Sequence, residues 1–238
     1  MLPLRDGVAA SSVTLPSNGW EYLIDFLCDK FPAIPREVWF ERMRQNLVTD
    51  ELGNILNANT AFKAHSIVHY YRALEHETPI PFKEHILFQD EYLLVADKPH
   101  FLPAVPAGKY LQETLLVRLK KKTGIDDLAP MHRIDRETAG VMLFVIKPET
   151  RGAYQSLFQN KLVKKQYHAI AGYREDLKLP LTHQSRLQES EHFMRMQETS
   201  GIVNSETQIE LMAQSGNLAK YLLTPKKEKK HQLRVHMM

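Results

Sequence analysis

The chain has 238 residues, 43% apolar and 25% charged, with 31 Lys and Arg against 28 Asp and Glu. This is ordinary globular usage with enough chain to bury a core, and it excludes wholesale disorder and collagen-like or repeat architectures. A net charge of +3, a longest apolar run of only Val141 to Ile146 and a lone cysteine, Cys28, leave no nucleic-acid signal in charge alone, no membrane span of about 20 residues, and neither a disulfide framework nor a Cys-built zinc site.

Arg5 and Asp6 interrupt the N-terminus before an apolar stretch can form, so no signal peptide is expected and a cytoplasmic, reducing compartment is. Residues 1–18 carry Ser11-Ser12 and Pro16-Ser17-Asn18 with no apolar period and read as a flexible tail. Leu23, Phe26, Leu27 and Phe31 then line one face of a helix. Pro35 opens a second helix with Trp39 and Met43 on its apolar edge and Arg36, Arg42 and Arg44 facing solvent. Leu47–Thr49, a turn through Gly53 and a return at Ile55 predict a short hairpin, and Ile67–Tyr71 a further strand. Two prolines in Thr78-Pro-Ile-Pro81 favour an extended linker over 78–82, the expected domain boundary.

Beyond it, Ile86–Phe88 and Tyr92–Ala96 read as paired strands. Leu111, Leu115 and Leu119 form a helix stripe that ends in Lys120–Lys122 and Gly124. Val141–Ile146 reads as a buried strand, Tyr154, Leu157 and Phe158 as a helix, and Tyr167–Ala171, Gln208–Met212 and Leu218–Thr224 as later strands. Strands and helices mix without regular βαβ alternation, which predicts an α+β fold. Three lysine-rich runs, 120–122, 161–165 and 226–230, lie in the second half and could follow phosphates or simply form a solvated face.

Phosphate-loop, dinucleotide-loop, GxSxG and EF-hand patterns are absent from the sequence. His65 and His69 have the i, i+4 spacing of helical zinc ligands but fall in a predicted strand, so no metal role is assigned to them. Cys28 lies within an apolar helix, where packing is its expected role. The informative stretch is Met131 to Val141, which crowds His132, Arg133, Asp135, Arg136, Glu137 and Thr138 immediately before a buried strand. Charged residues in such a place are paired. Asp135 is therefore either half of a structural ion pair or a nucleophile kept anionic by its partners, and composition by itself favours the first.

His132-Arg133-Ile134-Asp135-Arg136-Glu137-Thr138-Ala139-Gly140 resembles the HRLDRxTSG signature of RluA-type pseudouridine synthases. Three further segments match the same family in order. Ile86–Pro99 resembles its LYEDEDLLVVNKP strand pair, Lys165–Ala169 its KxYxA motif, and His231–His236 its HQLRVH motif. The resemblance covers residues 83–238 and implies an α+β catalytic domain, a mixed, largely antiparallel sheet with flanking helices. A small α+β N-terminal domain precedes it, and residues 19–77 resemble, more weakly, an S4-type RNA-binding module.

By that resemblance Asp135 is the essential carboxylate, Arg234 the cation that keeps it ionised and oriented, and Tyr167 the ring stacked on the target base. Leu233 walls the pocket, Arg133 helps displace the base and His132 supports the loop. The implied reaction isomerises uridine in ribosomal or transfer RNA. It needs no cofactor or metal, and neither a membrane nor an obligatory protein partner is implied. The alternative is a non-catalytic RNA-binding protein that retains the fold. An unrelated carboxylate hydrolase is disfavoured, because no second acidic residue sits in a comparable motif. Ala139 replaces the family's usual Ser, and Lys227-Glu228-Lys229-Lys230 stands where the family has a Gly-containing approach to HQLRVH. Family members continue beyond this point, so the catalytic domain is expected to be truncated after Met238.

Overall fold

A computed structural model of the chain describes residues 3–72, 74, 76–190 and 195–238. The chain divides into two compact units, Met1–Ser156 and Leu157–Met238. The fold is α+β as expected, built on three sheets. Among the described residues every strand pairing is antiparallel, so the anticipated mixed sheet is not found.

The first unit opens with β1 (Ser11–Thr14), α1 (Leu23–Lys30), α2 (Arg36–Arg44), β2 (Val48–Thr49) and β3 (Ile67–Tyr70). The strands lie in the order β1-β3-β2. The expected loose tail is corrected here, because Ser11 to Thr14 pair in register with Tyr70 to Ile67 and Leu15 is buried just beyond. Ser-Ser-Val-Thr carries little apolar signal, but the open edge of β3 offers its backbone a complete ladder.

The predicted apolar faces of α1 and α2 do meet. Leu23, Phe26, Leu27, Trp39 and Met43 share one cluster with Val48 and Tyr70, and Cys28 packs against it. Burial pushes the Cys28 thiol up, as suits a packing residue. The basic face expected on α2 is corrected at one position. Arg42 is buried, its guanidinium over the Trp39 ring at 4.8 Å and the Tyr70 ring at 6.0 Å. Arg36 pairs with Asp25 at 2.6 Å and Arg44 with Glu41 at 2.8 Å. Arg36 and Arg44 remain exposed to solvent, as expected.

The first unit continues with β4 (His85–Gln89), β5 (Leu93–Lys98), α3 (Leu115–Thr123), β6 (Ala129–Pro130), β7 (Gly140–Val145), a 3-10 turn and α4 (Arg151–Gln159), within which the division between units falls. These strands lie in the order β4-β5-β7-β6. The Thr114 hydroxyl caps α3 by accepting from the Val117 N–H, and Gly124 ends it at φ 70°. The linker expected at 78–82 carries no regular element and lies inside the first compact unit. Ile80 N–H donates to Glu113 Oε2 at 2.7 Å, and Arg118 donates to the carbonyls of Ile80 and Phe82.

The second unit adds β8 (Tyr167–Gly172), β9 (Leu181–Glu189), β10 (Met196–Thr199), β11 (Ser205–Ser215), β12 (Leu218–Lys227) and α5 (Gln232–His236). Its five strands lie in the order β10-β9-β11-β12-β8. β9 and β10 are absent from the sequence reading because β9 reads Leu-Thr-His-Gln-Ser-Arg-Leu-Gln-Glu, whose inward positions include His183 and Ser185. Ile209, Ala219, Tyr221 and Leu223 form the core of this unit.

Candidate active site

Asp135 lies half-buried in the loop that joins β6 to β7. This loop has no ladder of its own, so other contacts hold it. At its start Met131 N–H donates to the Leu143 carbonyl at 2.9 Å, and Leu143 N–H donates back to His132 Nε2 at 3.3 Å. His132 thus supports the loop, accepting on Nε2 against the edge of β7. Arg133 is exposed, and Ile134 packs into the cluster of Leu94, Leu102, Leu115 and Phe144. Past the acid, Thr138 N–H donates to the Asp135 carbonyl at 3.1 Å and closes a turn. Asp135 therefore sits between an apolar anchor and a hydrogen-bonded turn.

The turn is held by a residue to which the sequence gave no role. Lys98, the last residue of β5, is fully buried, and its Nζ donates to the carbonyls of Leu102 (2.8 Å), Pro99 (3.0 Å) and Arg136 (3.1 Å). Three carbonyls match the three protons of an ammonium. Burial pushes the Lys98 pKa down to about 8, while the charges of Glu137, Asp135 and Asp97 act to hold its proton. A cation within electrostatic reach of Asp135 and bonded to the next peptide both positions the acid and supplies positive potential beside it. His100 adds a second clasp, Nδ1 donating to the Glu137 carbonyl at 2.7 Å. The signal for Lys98 was a single lysine closing the apolar strand Leu93–Lys98, where a solvated residue has no reason to be.

Arg136 has partners of its own beside the acid. It binds Glu137 Oε1 at 2.9 Å through Nη2 and donates to the Tyr110 hydroxyl at 3.2 Å.

The other expected residues belong to the second unit. Tyr167 begins β8 opposite Leu223, and Leu233 lies in α5; both pack against the cluster of Ile209, Ala219, Tyr221 and Leu223. Arg234 follows on the exposed side of the same helix. Gln232 fixes that helix, its Nε2 donating to the Glu206 carbonyl at 3.0 Å and to Thr207 Oγ1 at 2.9 Å. In this unit Lys161, Lys164, Lys165 and Lys226 line one cavity of about 700 Å³, with Lys165 paired to Glu228 at 2.5 Å. Two of the three basic runs seen in the sequence thus converge on one concave surface, the form a phosphate-tracking site takes.

The model of the RNA pseudouridylate synthase family matches residues 92–238, more than half of the chain, and that span contains all six expected site residues. The chain belongs to the RNA pseudouridylate synthase family. It is 30% identical over 166 residues to the tRNA pseudouridine synthase C of Vibrio cholerae, covering 64% of this chain and 68% of the relative. It is 28% identical over 172 residues to the dual-specificity RNA pseudouridine synthase RluA of Haemophilus influenzae, covering 69% and 76%. An uncharacterized RNA pseudouridine synthase of Synechocystis is 27% identical over 150 residues, 63% of this chain but only 51% of the relative, so the chain spans about half of that protein's length. Among solved structures, human RNA pseudouridylate synthase domain containing 4 is similar at a TM-score of 0.51 and 28% identity, covering 63% of this chain and 62% of that one. Human RNA pseudouridylate synthase domain containing 1 shares the fold at a TM-score of 0.56 and 19% identity.

Within this family's matched span, the acid and its lysine clasp come from one sheet, while the aromatic, the leucine and the arginine come from a strand and a helix of another. The pseudouridylate synthase match begins after residues 19–77 and adds nothing to their RNA-binding reading.

Proposed function

We propose that the chain converts uridine in structured RNA, ribosomal or transfer, to pseudouridine, with Asp135 as the catalytic carboxylate. In this reaction the bond between ribose C1′ and uracil N1 breaks and the base turns. C5 then bonds to C1′, the C5 proton leaves, and N1 ends protonated. A carboxylate serves either by attacking a sugar or base carbon or by stabilising charge at the anomeric centre. In either role it must be ionised and held still.

The observation that carries this reading is the loop itself. Ile134 is anchored in the core on one side of Asp135, while on the other the Arg136 carbonyl is held by the buried Lys98 and the Glu137 carbonyl by His100. That is the preorganisation a catalytic carboxylate needs. Family membership supports the same assignment. Tyr167 is assigned to stack on the everted base and move protons, Leu233 to wall the pocket, Arg234 to pair with the acid and Arg133 to help displace the base. Extruding a base costs a few kcal/mol, offset by pocket and phosphate contacts, and the lysine-lined cavity supplies the latter.

The experiment uses RNA tritiated at uridine C5, because only turnover releases that label. The native chain releases it, and Asp135→Asn lowers the rate at least about a thousandfold with the thermal midpoint preserved. Release by Asp135→Asn at the native rate refutes the assignment. Binding of the RNA by the native chain without any release marks it as the non-catalytic relative.

A further inference from the structure

His183 on β9, Glu198 on β10 and His236 on α5 form a constellation that uridine isomerisation does not use. One imidazole nitrogen, one carboxylate oxygen and a second imidazole nitrogen all lie within 4.8 Å of one another. His183 Nε2 is 2.7 Å from Glu198 Oε1, and His236 Nε2 is 3.8 Å from the same oxygen. The two rings meet edge to face, with centroids 4.6 Å apart.

The register explains why they meet. Ser205 lies opposite Ser185, Thr207 opposite His183 and Glu198 opposite Leu187. Alternate residues share a face, so His183, Ser185 and Leu187 look the same way as Glu198, Ser205 and Thr207. The helix α5 lies on that face and brings His236 to it, hydrogen-bonded to Ser185, Ser205 and Thr207.

We propose that His183, Glu198 and His236 bind one divalent transition-metal ion of the zinc class, which clamps α5 to the β9–β10–β11 face. Two imidazoles and a carboxylate are the donors such ions prefer, whereas magnesium and calcium take oxygen. Bonds of 2.0–2.1 Å to a tetrahedral ion set its ligand atoms about 3.3 Å apart, and the two distances to Glu198 Oε1, 2.7 and 3.8 Å, bracket that value.

The surroundings are those of a ligand set. The His236 side chain is fully buried. Its second nitrogen, Nδ1, lies 2.9 Å from Thr207 Oγ1, a hydroxyl itself held by Gln232, which is how a metal-binding imidazole is oriented from behind. The Ser205 hydroxyl donates to the Ser185 carbonyl at 2.8 Å, so its proton is not needed on His236. His183 and Glu198 are 38% and 39% exposed, which gives an ion a path from solvent and leaves a fourth position for water.

The test is zinc binding by the full chain after treatment with a chelator, read by competition with a chromophoric chelator and by the visible spectrum of a cobalt-substituted sample. One equivalent is expected to bind with a tetrahedral cobalt spectrum and a raised thermal midpoint. His183→Ala and Glu198→Gln, both at partly exposed positions, are each expected to weaken binding at least about tenfold, while His65→Ala leaves it unchanged. No stoichiometric binding by the native chain overturns the proposal, and so does native affinity in both site variants. These readouts do not depend on uridine turnover.

Discussion

In the first unit Asp135 sits in an irregular loop, and what holds it is polar: a buried ammonium shared among three carbonyls, an imidazole on a fourth, and one isoleucine in the core. In the second unit Tyr167 and Leu233 sit on a strand and a helix, and both pack on the apolar cluster of Ile209, Tyr221 and Leu223. The polar clasp is directional, titratable and intolerant of substitution. The apolar seat is none of these, since it asks only for volume and a face. The two regions should therefore fail differently when perturbed.

The largest effect is expected at Lys98. Lys98→Met removes the donor shared by three inward-facing carbonyls and should cost about 2–4 kcal/mol, read by chemical denaturation. It should also cost about a hundredfold in label release, because an acid displaced by an ångström loses alignment. The native chain should show the same dependence with pH. Above about 8 the Lys98 Nζ loses one of its three protons, and turnover falls. Stability moves the other way. The folded pKa of about 8 lies below the ordinary lysine value of 10.5, so between those values the unfolded chain binds more protons and the group's contribution to stability rises with pH. The stability gap between the native chain and Lys98→Met should widen over that range while their activities converge. Parallel pH–rate profiles for the two proteins would show that the clasp does not act through its charge.

A smaller and purely kinetic effect is expected at Tyr167. Tyr167→Phe keeps the ring in its apolar seat, so stability should change by less than about 1 kcal/mol, while label release falls at least about tenfold. A loss of stability with full turnover would reduce Tyr167 to a core aromatic. The smallest effect belongs to the lysine-lined cavity. Lys164→Ala should weaken RNA binding uniformly across sequences and lower the slope of log affinity against log salt by about 1. An unchanged salt slope would remove Lys164 from the RNA contact surface.

Much of the fold was legible in the sequence where burial follows a period. The apolar face of α1 and the strands β5, β7, β8 and β12 all announce themselves in that way, while the stripe expected from Leu111 enters a helix only at Leu115. What escaped was held by polar chemistry or by a neighbour. β1 exists because β3 has an edge to offer. β9 was hidden because its inward residues include His183 and Ser185. Arg42 left the solvent face because two aromatic rings accept its guanidinium. At the site, ordered motifs marked Asp135, Tyr167 and Arg234 as residues of one chemistry, but Lys98 was only a letter at the end of a strand.

The order of residues by itself determined which side chains the chain carries and in what succession, and four short motifs in sequence were enough to name the family. Only the tertiary structure decided which charges find each other: Arg36 went to Asp25, Lys98 to three carbonyls beside Asp135, and His183 to Glu198. The reason is physical. A local pattern fixes which way a side chain points along its own element, whereas electrostatic pairing depends on distance through space, and that is set only when separate strands and loops are brought into register.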